Sequence, residues 1–319
     1  MPDGDLSGFL ADLGGSLDGL RLDEGCRREH PIGPMTTYRV GGAASLYVRP
    51  HDLPELEAVA AVLAGSGVPV VVVGRGSNLL VADRGFEGVA VQLGDGFEEV
   101  LVDGAVDDAV NVVAGGGASL PVVARLTVRS GLSGFEWAVG VPGSIGGAVR
   151  MNAGGHGSDM AAVLDWVDVV DLADGPTRRL RVEELDLAYR HSSLSRMQVV
   201  TAAGLRLELG DAEAGEALLA EIIRWRRENQ PGGSNAGSVF TNPPGDSAGR
   251  LIDLAGAKGL RIGTAEVSSK HANFIQADVG GSADDVRLLM QEVRRRVAEA
   301  HGVVLESETV LFGFDTPDP

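Results

Sequence analysis

Lysine is nearly missing from this chain: Lys258 and Lys270 stand against twenty-five arginines in 319 residues. Lysine presents a compact charge with freely turning donors, and a site shaped around a phosphate or carboxylate need not accept the larger planar guanidinium. Two surviving lysines in one short stretch therefore point to an anion site, with chance placement as the alternative. Cysteine is scarcer still. The single Cys26 excludes an internal disulfide framework and any multi-cysteine metal site, and it fits a reducing compartment. Positive charge is also short, with a net charge of −18 and a pI near 4.7, which argues against nucleic acid and anionic membranes as partners. No apolar run approaches membrane-spanning length, and the N-terminal MPDGDLSGFLADLGG carries acids where a signal peptide is basic, so a cytoplasmic location is expected. The six histidines show no paired metal spacing, no serine sits in a nucleophile elbow, and no metal is expected.

Glycine, by contrast, is plentiful and clustered. The run GVPGSIGGAVRMNAGGHG spans Gly140 to Gly157, and VVVGRGSNLLVAD spans Val71 to Asp83. Glycine loses the most conformational freedom on folding, so clusters this dense need a compensating role, such as left-handed turns or amides aimed at an anion. In VVVGRGSNLLVAD a buried strand of valines runs straight into the turn Gly74, Arg75, Gly76, Ser77, Asn78, where a pyrophosphate can sit. The pattern is not a Rossmann fingerprint: Leu79 stands where the third glycine belongs, and LLVAD and VAVQL continue as short strands rather than a helix. A third group, Gly115 to Gly117, closes a strand read over AVDDAVNVVAG and opens a helix with Ser119 as N-cap and Pro121 in its first turn. Three strand-to-glycine junctions in one half of a chain point to a large dinucleotide held between two small sheets.

The remaining pattern alternates short strands and helices. Helices are predicted over 52–64, 216–230 and 284–302, and strands over VLDWVDVVDLAD, QVVTAAGLRLEL and the final VLESETVLFGF. Pro231, Gly232 and Gly233 end the second helix, and a domain boundary is placed there: an α+β dinucleotide-binding domain over 1–232 and a smaller α/β domain over 233–319.

Few polar groups are placed to do chemistry. Arg190, following Tyr189 in LDLAYRHSSL, can hold a carboxylate bidentately. Ser238 lies in the turn-rich NAGSVFTNP, which either exposes its hydroxyl or makes it an ordinary turn serine. Glu308 rises from an apolar strand, either facing a site that raises its pKa or sitting on an edge. His191 and His271 neighbour these motifs, and each reads more simply as a hydrogen-bonding or surface residue than as a base.

The segments TTYRVGGAA, VVVGRGSNLLVAD, AGGGASL, GFEWAVGVPGSIGGAVRMNAGG, YRHSS, GSVFTNP, AGRLIDLAGAKGLRIGTAEVSSKHANF and LESETVLFG occur in an order that resembles the UDP-N-acetylenolpyruvoylglucosamine reductases, from about Thr36 to Gly313. The resemblance implies an α+β fold: an FAD-binding domain of the vanillyl-alcohol-oxidase (PCMH) type with two subdomains, then a smaller substrate-binding domain whose final strand returns to the first subdomain. It implies non-covalent FAD along Gly74, Arg75, Gly76, Ser77, Asn78, Gly140, Pro142, Gly143, Ser144, Gly146, Gly147, Asn152 and Ala153, and NADPH as hydride donor. Arg190 and a protonated Glu308 would stabilise the enolate-like carboxylate, and Ser238 would protonate the carbanionic carbon. Tyr189, Asn242, Lys258 and His271 would bind the nucleotide sugar, with Lys258 on the diphosphate. A monomer is expected. The chain departs from many members at Thr241, where they have lysine, and at Arg150, where they have an aromatic. Its short tyrosine-free segment from Arg190 to Gln198 resembles the subclass lacking a tyrosine-bearing closing loop. An alcohol oxidase of the same flavin fold and a non-catalytic nucleotide-sugar binder are the alternatives; the second would be expected to have lost one of Arg190, Ser238 and Glu308.

Overall fold

A computed structural model describes residues 6–20, 22, 24–106 and 109–315. The acidic start of the chain, Met1 to Asp5, and Asp107 and Asp108 of the predicted strand AVDDAVNVVAG lie outside the described residues. The chain divides into two compact units. The first comprises 1–28, 46–75 and 88–225; the second comprises 29–45, 76–87 and 226–319.

The first unit is organised on a sheet whose strands follow the order Thr177–Arg181, Leu164–Asp171, Gln198–Leu209, Ala109–Gly115, Val100–Val106, with Leu132–Ser133 also paired to Gln198–Leu209. All of these neighbours run antiparallel. Strand Gln198–Leu209 matches its predicted bounds. The segment AVDDAVNVVAG is not one strand: Ala105 pairs with Val110 and Val106 with Ala109, so its first residues end the preceding strand. Val112, Ala114, Val167, Val169, Ala203 and Leu205 bury one face against helix Leu120–Arg129, whose Val123, Ala124 and Val128 supply the apolar stripe. Ser119 does stand at that helix's N-cap with proline in the first turn, but its side chain makes no capping bond. A second core joins helix Leu53–Leu63 to the parallel strand pair Val70–Val72 and Phe86–Val91. Asp52 caps this helix, accepting from Glu55 N at 2.9 Å, and Gly65, at φ +68°, follows its end.

In the second unit, helix Ala283–His301 begins at an N-cap where Ser282 Oγ accepts from Asp285 N, and ends at Gly302 with φ +68°. It packs Val286, Leu289, Met290, Val293 and Val297 against the three-stranded antiparallel sheet Arg261–Ile262, Ala265–Val267, Ile275–Ala277. The unit does not follow a single cut at 232. Leu79–Val81 pairs in parallel with the last strand, Val310–Phe312, and Tyr38, Val40 and Leu80 share the core of Val239, Phe240 and Ile252. Long-range pairing with residues 29–45 and 76–87 thus corrects the contiguous boundary expected from composition. No described helix is long and apolar enough to cross a membrane, and the described residues hold no cluster of three or more potential metal ligands.

Backbone meets backbone closely in the first unit. A Cβ on Gly116 would lie 1.8 Å from Val200 O, whereas one on Gly15, within helix Leu6–Asp18, meets nothing within 4 Å. Gly116→Ala is expected to cost ~1–3 kcal/mol or more through overpacking, while Gly15→Ala gains up to ~1 kcal/mol from helix propensity. Thermal denaturation of the two variants should therefore shift in opposite directions, and equal shifts would contradict this packing.

Candidate functional site

The three glycine groups meet in the first unit. Strand Val70–Val72 delivers Gly74, whose carbonyl accepts from Gln92 Nε2 at 3.0 Å and whose absent Cβ would lie 2.6 Å from Ser144 Oγ. Ser144 belongs to the second glycine run and caps the short helix Ile145–Arg150, accepting from Gly147 N at 3.3 Å. The third group closes the arrangement: Gly146 N donates to Gly116 O at 2.8 Å, Ile145 N to Ala118 O at 2.9 Å, and Leu120 N to Gly143 O at 3.0 Å. A Cβ at Gly115 would meet Phe97 O at 2.1 Å. Side chains are excluded here because the backbones lie against each other, leaving a wall made largely of main chain. Gly140 ends the 3-10 turn Glu136–Gly140, and Pro142 and Gly147 are exposed beside it. Arg75 is exposed and pairs with Glu98 at 3.3 Å.

The rest of the predicted pyrophosphate turn belongs to the second unit. Gly76 takes φ +64°, its carbonyl accepts from Thr37 N at 3.0 Å, and a Cβ would meet Met35 O at 2.5 Å. Ser77 lies in the same turn. Asn78 donates from its amide to Glu308 O at 2.8 Å, and its carbonyl accepts from Val310 N at 3.0 Å. The Asn78 side chain thus holds the Glu308 strand, a role the sequence reading did not foresee.

Asn152, expected against the cofactor, is also committed elsewhere. It is 3% exposed; Nδ2 donates to Ala188 O at 3.0 Å, and Oδ1 accepts from Ala161 N at 3.0 Å. Neighbouring Ala153 keeps its backbone paired to Ala148 O and Met160 N. What Asn152 supports is the Tyr189–Arg190 turn, closed by reciprocal bonds between Ala188 and His191 at 3.1 and 3.0 Å. Arg190 has φ +57°, donates to Gly154 O at 3.4 Å, and lies 5.3 Å from the exposed Tyr189 ring.

In the second unit a cleft of about 370 Å³ gathers Ser238, Asn242, Lys258 and His271 from three separate segments. The strand-like piece carrying Ser238 is held on both sides. Val239 N donates to Asn273 O at 2.9 Å, and Phe240 exchanges bonds with the Asn273 amide at 3.0 and 2.8 Å. On the opposite side Glu308 N donates to Val239 O at 2.8 Å, so Ser238 and Glu308 share one backbone ladder. Asn242 Oδ1 accepts from Ala248 N at 3.0 Å, at the start of helix Ala248–Leu254.

The cleft lining carries Arg250, Lys258 and Lys270 against the single carboxylate Asp253, so it favours an anionic ligand. Both lysines of the chain are therefore in one place. Lys258 sits 3.4 Å from Asp253, and Arg250 forks onto Asp246, holding that carboxyl down at about 2. His271 packs edge-on to Phe274 at 4.7 Å, and its Nδ1 accepts from Asn273 N at 3.3 Å, which leaves Nε2 to carry the proton of a neutral ring. Burial, reinforced by the nearby Lys258 charge, pushes the imidazole below its usual range. Arg250 and Asn273 escaped sequence reading: one is among twenty-five arginines, and the other acts through a contact thirty-three residues away.

Comparisons with known proteins agree with this geometry. Residues 44–181 match a family model described as an FAD binding domain, and residues 229–312 match the C-terminal domain of UDP-N-acetylenolpyruvoylglucosamine reductase. The reductase of Heliobacterium modesticaldum is 47% identical over 289 residues, 90% of each chain, and that of Rubrobacter xylanophilus 41% identical over 92% of this chain and 97% of its own. The solved structure of the Thermus caldophilus reductase superposes with a TM-score of 0.77 at 36% identity, covering 90% of this chain and 99% of that one. With matches on both units and relatives aligned over nearly their full length, the chain belongs to the UDP-N-acetylenolpyruvoylglucosamine reductase family.

Proposed function

We propose that this protein is an FAD-dependent oxidoreductase that uses NADPH to reduce the enolpyruvyl ether of UDP-N-acetylglucosamine to the lactyl ether, a step in peptidoglycan precursor synthesis. The observation that carries the reading is the cationic cleft, which brings Ser238, Asn242, Lys258 and His271 together beside the Glu308 ladder. An alcohol substrate without a diphosphate would have no use for three cations there.

A flavin would be held against the main-chain wall of the first unit, whose glycines let Gly74 close on Ser144 and Gly146 on Gly116 and Val200 and so bring the backbone segments that would face it together. A flavin held there would supply the hydride carrier between NADPH and the substrate. The chain's own groups handle charge and protons. Lys258 takes the diphosphate as a point charge, with His271 offering a neutral Nε2–H and Asn242 its amide. Arg190 holds the enolpyruvyl carboxylate bidentately, with Tyr189 beside it, and Glu308 donates a hydrogen bond to the developing charge. Ser238 delivers the proton to C2. A serine hydroxyl is a weak acid, but a carbanionic centre is basic enough to take its proton once the donor is positioned. Holding Ser238 between Asn273 and the Glu306–Glu308 segment provides that positioning. Flavin binding by the glycine groups and substrate binding largely by the C-terminal segment from 233, a monomeric state, a cytoplasmic location, and an absence of nucleic-acid and membrane partners belong to the same reading.

Ser238→Ala is expected to lower kcat with the enolpyruvyl substrate by about 10²–10⁴-fold while NADPH still reduces the flavin; stopped-flow absorbance separates the two half-reactions, and loss of both would contradict the assignment. The depressed His271 pKa has a thermodynamic consequence. The unfolded chain takes up this proton more readily than the folded one, so the associated stability is fully present above the ordinary imidazole range and is lost as pH falls through it and through the lower folded value. Melting curves at pH 8 and pH 5 should show wild type losing more stability than His271→Gln; an equal loss would contradict the burial argument.

A further inference from the structure

Arg150 ends the helix Ile145–Arg150, and its guanidinium turns into the protein rather than toward solvent. Nη1 donates to two carbonyls, Leu194 O at 3.1 Å and Ser195 O at 2.6 Å. The bond is returned nearby, since Ser192 Oγ donates to Arg150 O at 2.7 Å. Burial, with the like charge of Arg196, pushes this guanidinium below its usual range, so the site accepts a desolvation cost to keep a cation there. The residues it grips, Leu194 and Ser195, lie just beyond the Arg190 turn, after His191, Ser192 and Ser193. On the preceding side, Asn152 from the same glycine-rich run grips Ala188 O at 3.0 Å.

The piece of chain between these anchors needs them. Arg190 occupies the left-handed region at φ +57°, which a side-chain-bearing residue adopts only when its surroundings impose it. The Ala188 and His191 bonds close the turn locally, but they do not fix where the turn points. Ser193 ties the segment back to Leu185 O and Glu184 O at 2.7 and 3.0 Å, and Arg150 beyond the turn and Asn152 before it tie it to the glycine-rich run that forms the main-chain wall.

We propose that Arg150 is a positioning residue for Arg190: by donating from Nη1 to Leu194 O and Ser195 O, with its own carbonyl accepting from Ser192 Oγ, it helps fix the direction in which Arg190 presents its guanidinium to the substrate carboxylate. The proposal rests on the reading of Arg190 as the carboxylate ligand. Arg150 thereby acquires a role within this chain that differs from a direct contact to NADPH or diphosphate.

The test is a double-mutant cycle on the FAD-loaded enzyme with Arg150→Met, Arg190→Lys and the pair. Arg150→Met is expected to lower kcat for the enolpyruvyl substrate by about ten- to a hundredfold, the scale of a small misplacement of a positioned group. Flavin reduction by NADPH, and the affinity for UDP-N-acetylglucosamine, which lacks the carboxylate, should stay within about twofold, because neither uses Arg190. In the Arg190→Lys background the further loss should vanish, since the two residues act through one group. Ser192→Ala, which removes only the return bond, carries the same cycle if Arg150→Met fails to retain flavin, with a smaller loss of the same pattern. Additive losses, unchanged kcat, or an equal fall in UDP-N-acetylglucosamine affinity would overturn the proposal. A wild-type enzyme inert toward the enolpyruvyl compound would instead overturn the functional reading beneath it, and an active wild type with an indifferent Arg190→Lys would overturn the role of Arg190.

Discussion

Main chain packed directly on main chain at glycine is the constraint from which the first unit is built. Gly116 lies where any Cβ would fall 1.8 Å from Val200 O, and Gly115 and Gly74 are similarly closed by Phe97 O and Ser144 Oγ. At Gly116 and Gly143–Gly146 two stretches come within backbone hydrogen-bonding distance, as Gly146 to Gly116 and Leu120 to Gly143 show, while Gly74 closes on the Ser144 hydroxyl. The entropic penalty of so many glycines is offset by the contacts they permit. The same wall supplies the anchors Arg150 and Asn152, so the surface suited to a flavin and the loop bearing Arg190 have a common foundation.

The second unit solves a different problem, namely gathering positive charge in a strongly acidic protein. Arg250, Lys258 and Lys270 line one cleft, and the neutral His271 adds a donor without adding charge. Lysine persists in this chain only here, where a compact ammonium suits a phosphate oxygen better than a planar fork. Ser238 and Glu308, the groups proposed to react, lie on paired backbone rather than on free loops, and rigid carriage of that kind is what positional catalysis demands.

Much of this was legible in sequence where the signal is local. Strand Gln198–Leu209, the helices at Leu53–Leu63 and Ala283–His301, and the glycine junctions all announce themselves by periodicity, caps and composition. The two lysines, close in sequence, do line one cleft. Long-range pairing was not legible in the residues themselves, and only the family resemblance implied that the final strand returns to the earlier part of the chain. Nothing near Leu79 indicates that it pairs with Val310, and so residues 29–45 and 76–87 appeared to belong with the first domain rather than with the C-terminal one. The partners of the Asn78 and Asn152 amides were hidden for a related reason. Their neighbours are glycines suited to a cofactor, yet their amides are spent on Glu308 O and Ala188 O, partners reached only through the tertiary fold. The strand predicted through AVDDAVNVVAG failed because two paired strands and their connection carry one continuous apolar texture.

The most direct test of the account is to purify the protein with its flavin and follow NADPH oxidation under anaerobic conditions, with and without UDP-N-acetylglucosamine enolpyruvate. The account predicts bound FAD and stoichiometric NADPH oxidation that continues only while the enolpyruvyl compound is supplied. Bound FAD with no dependence on that compound would contradict the assigned reaction while leaving the fold intact, and a protein that binds no FAD would contradict the role given to the glycine wall.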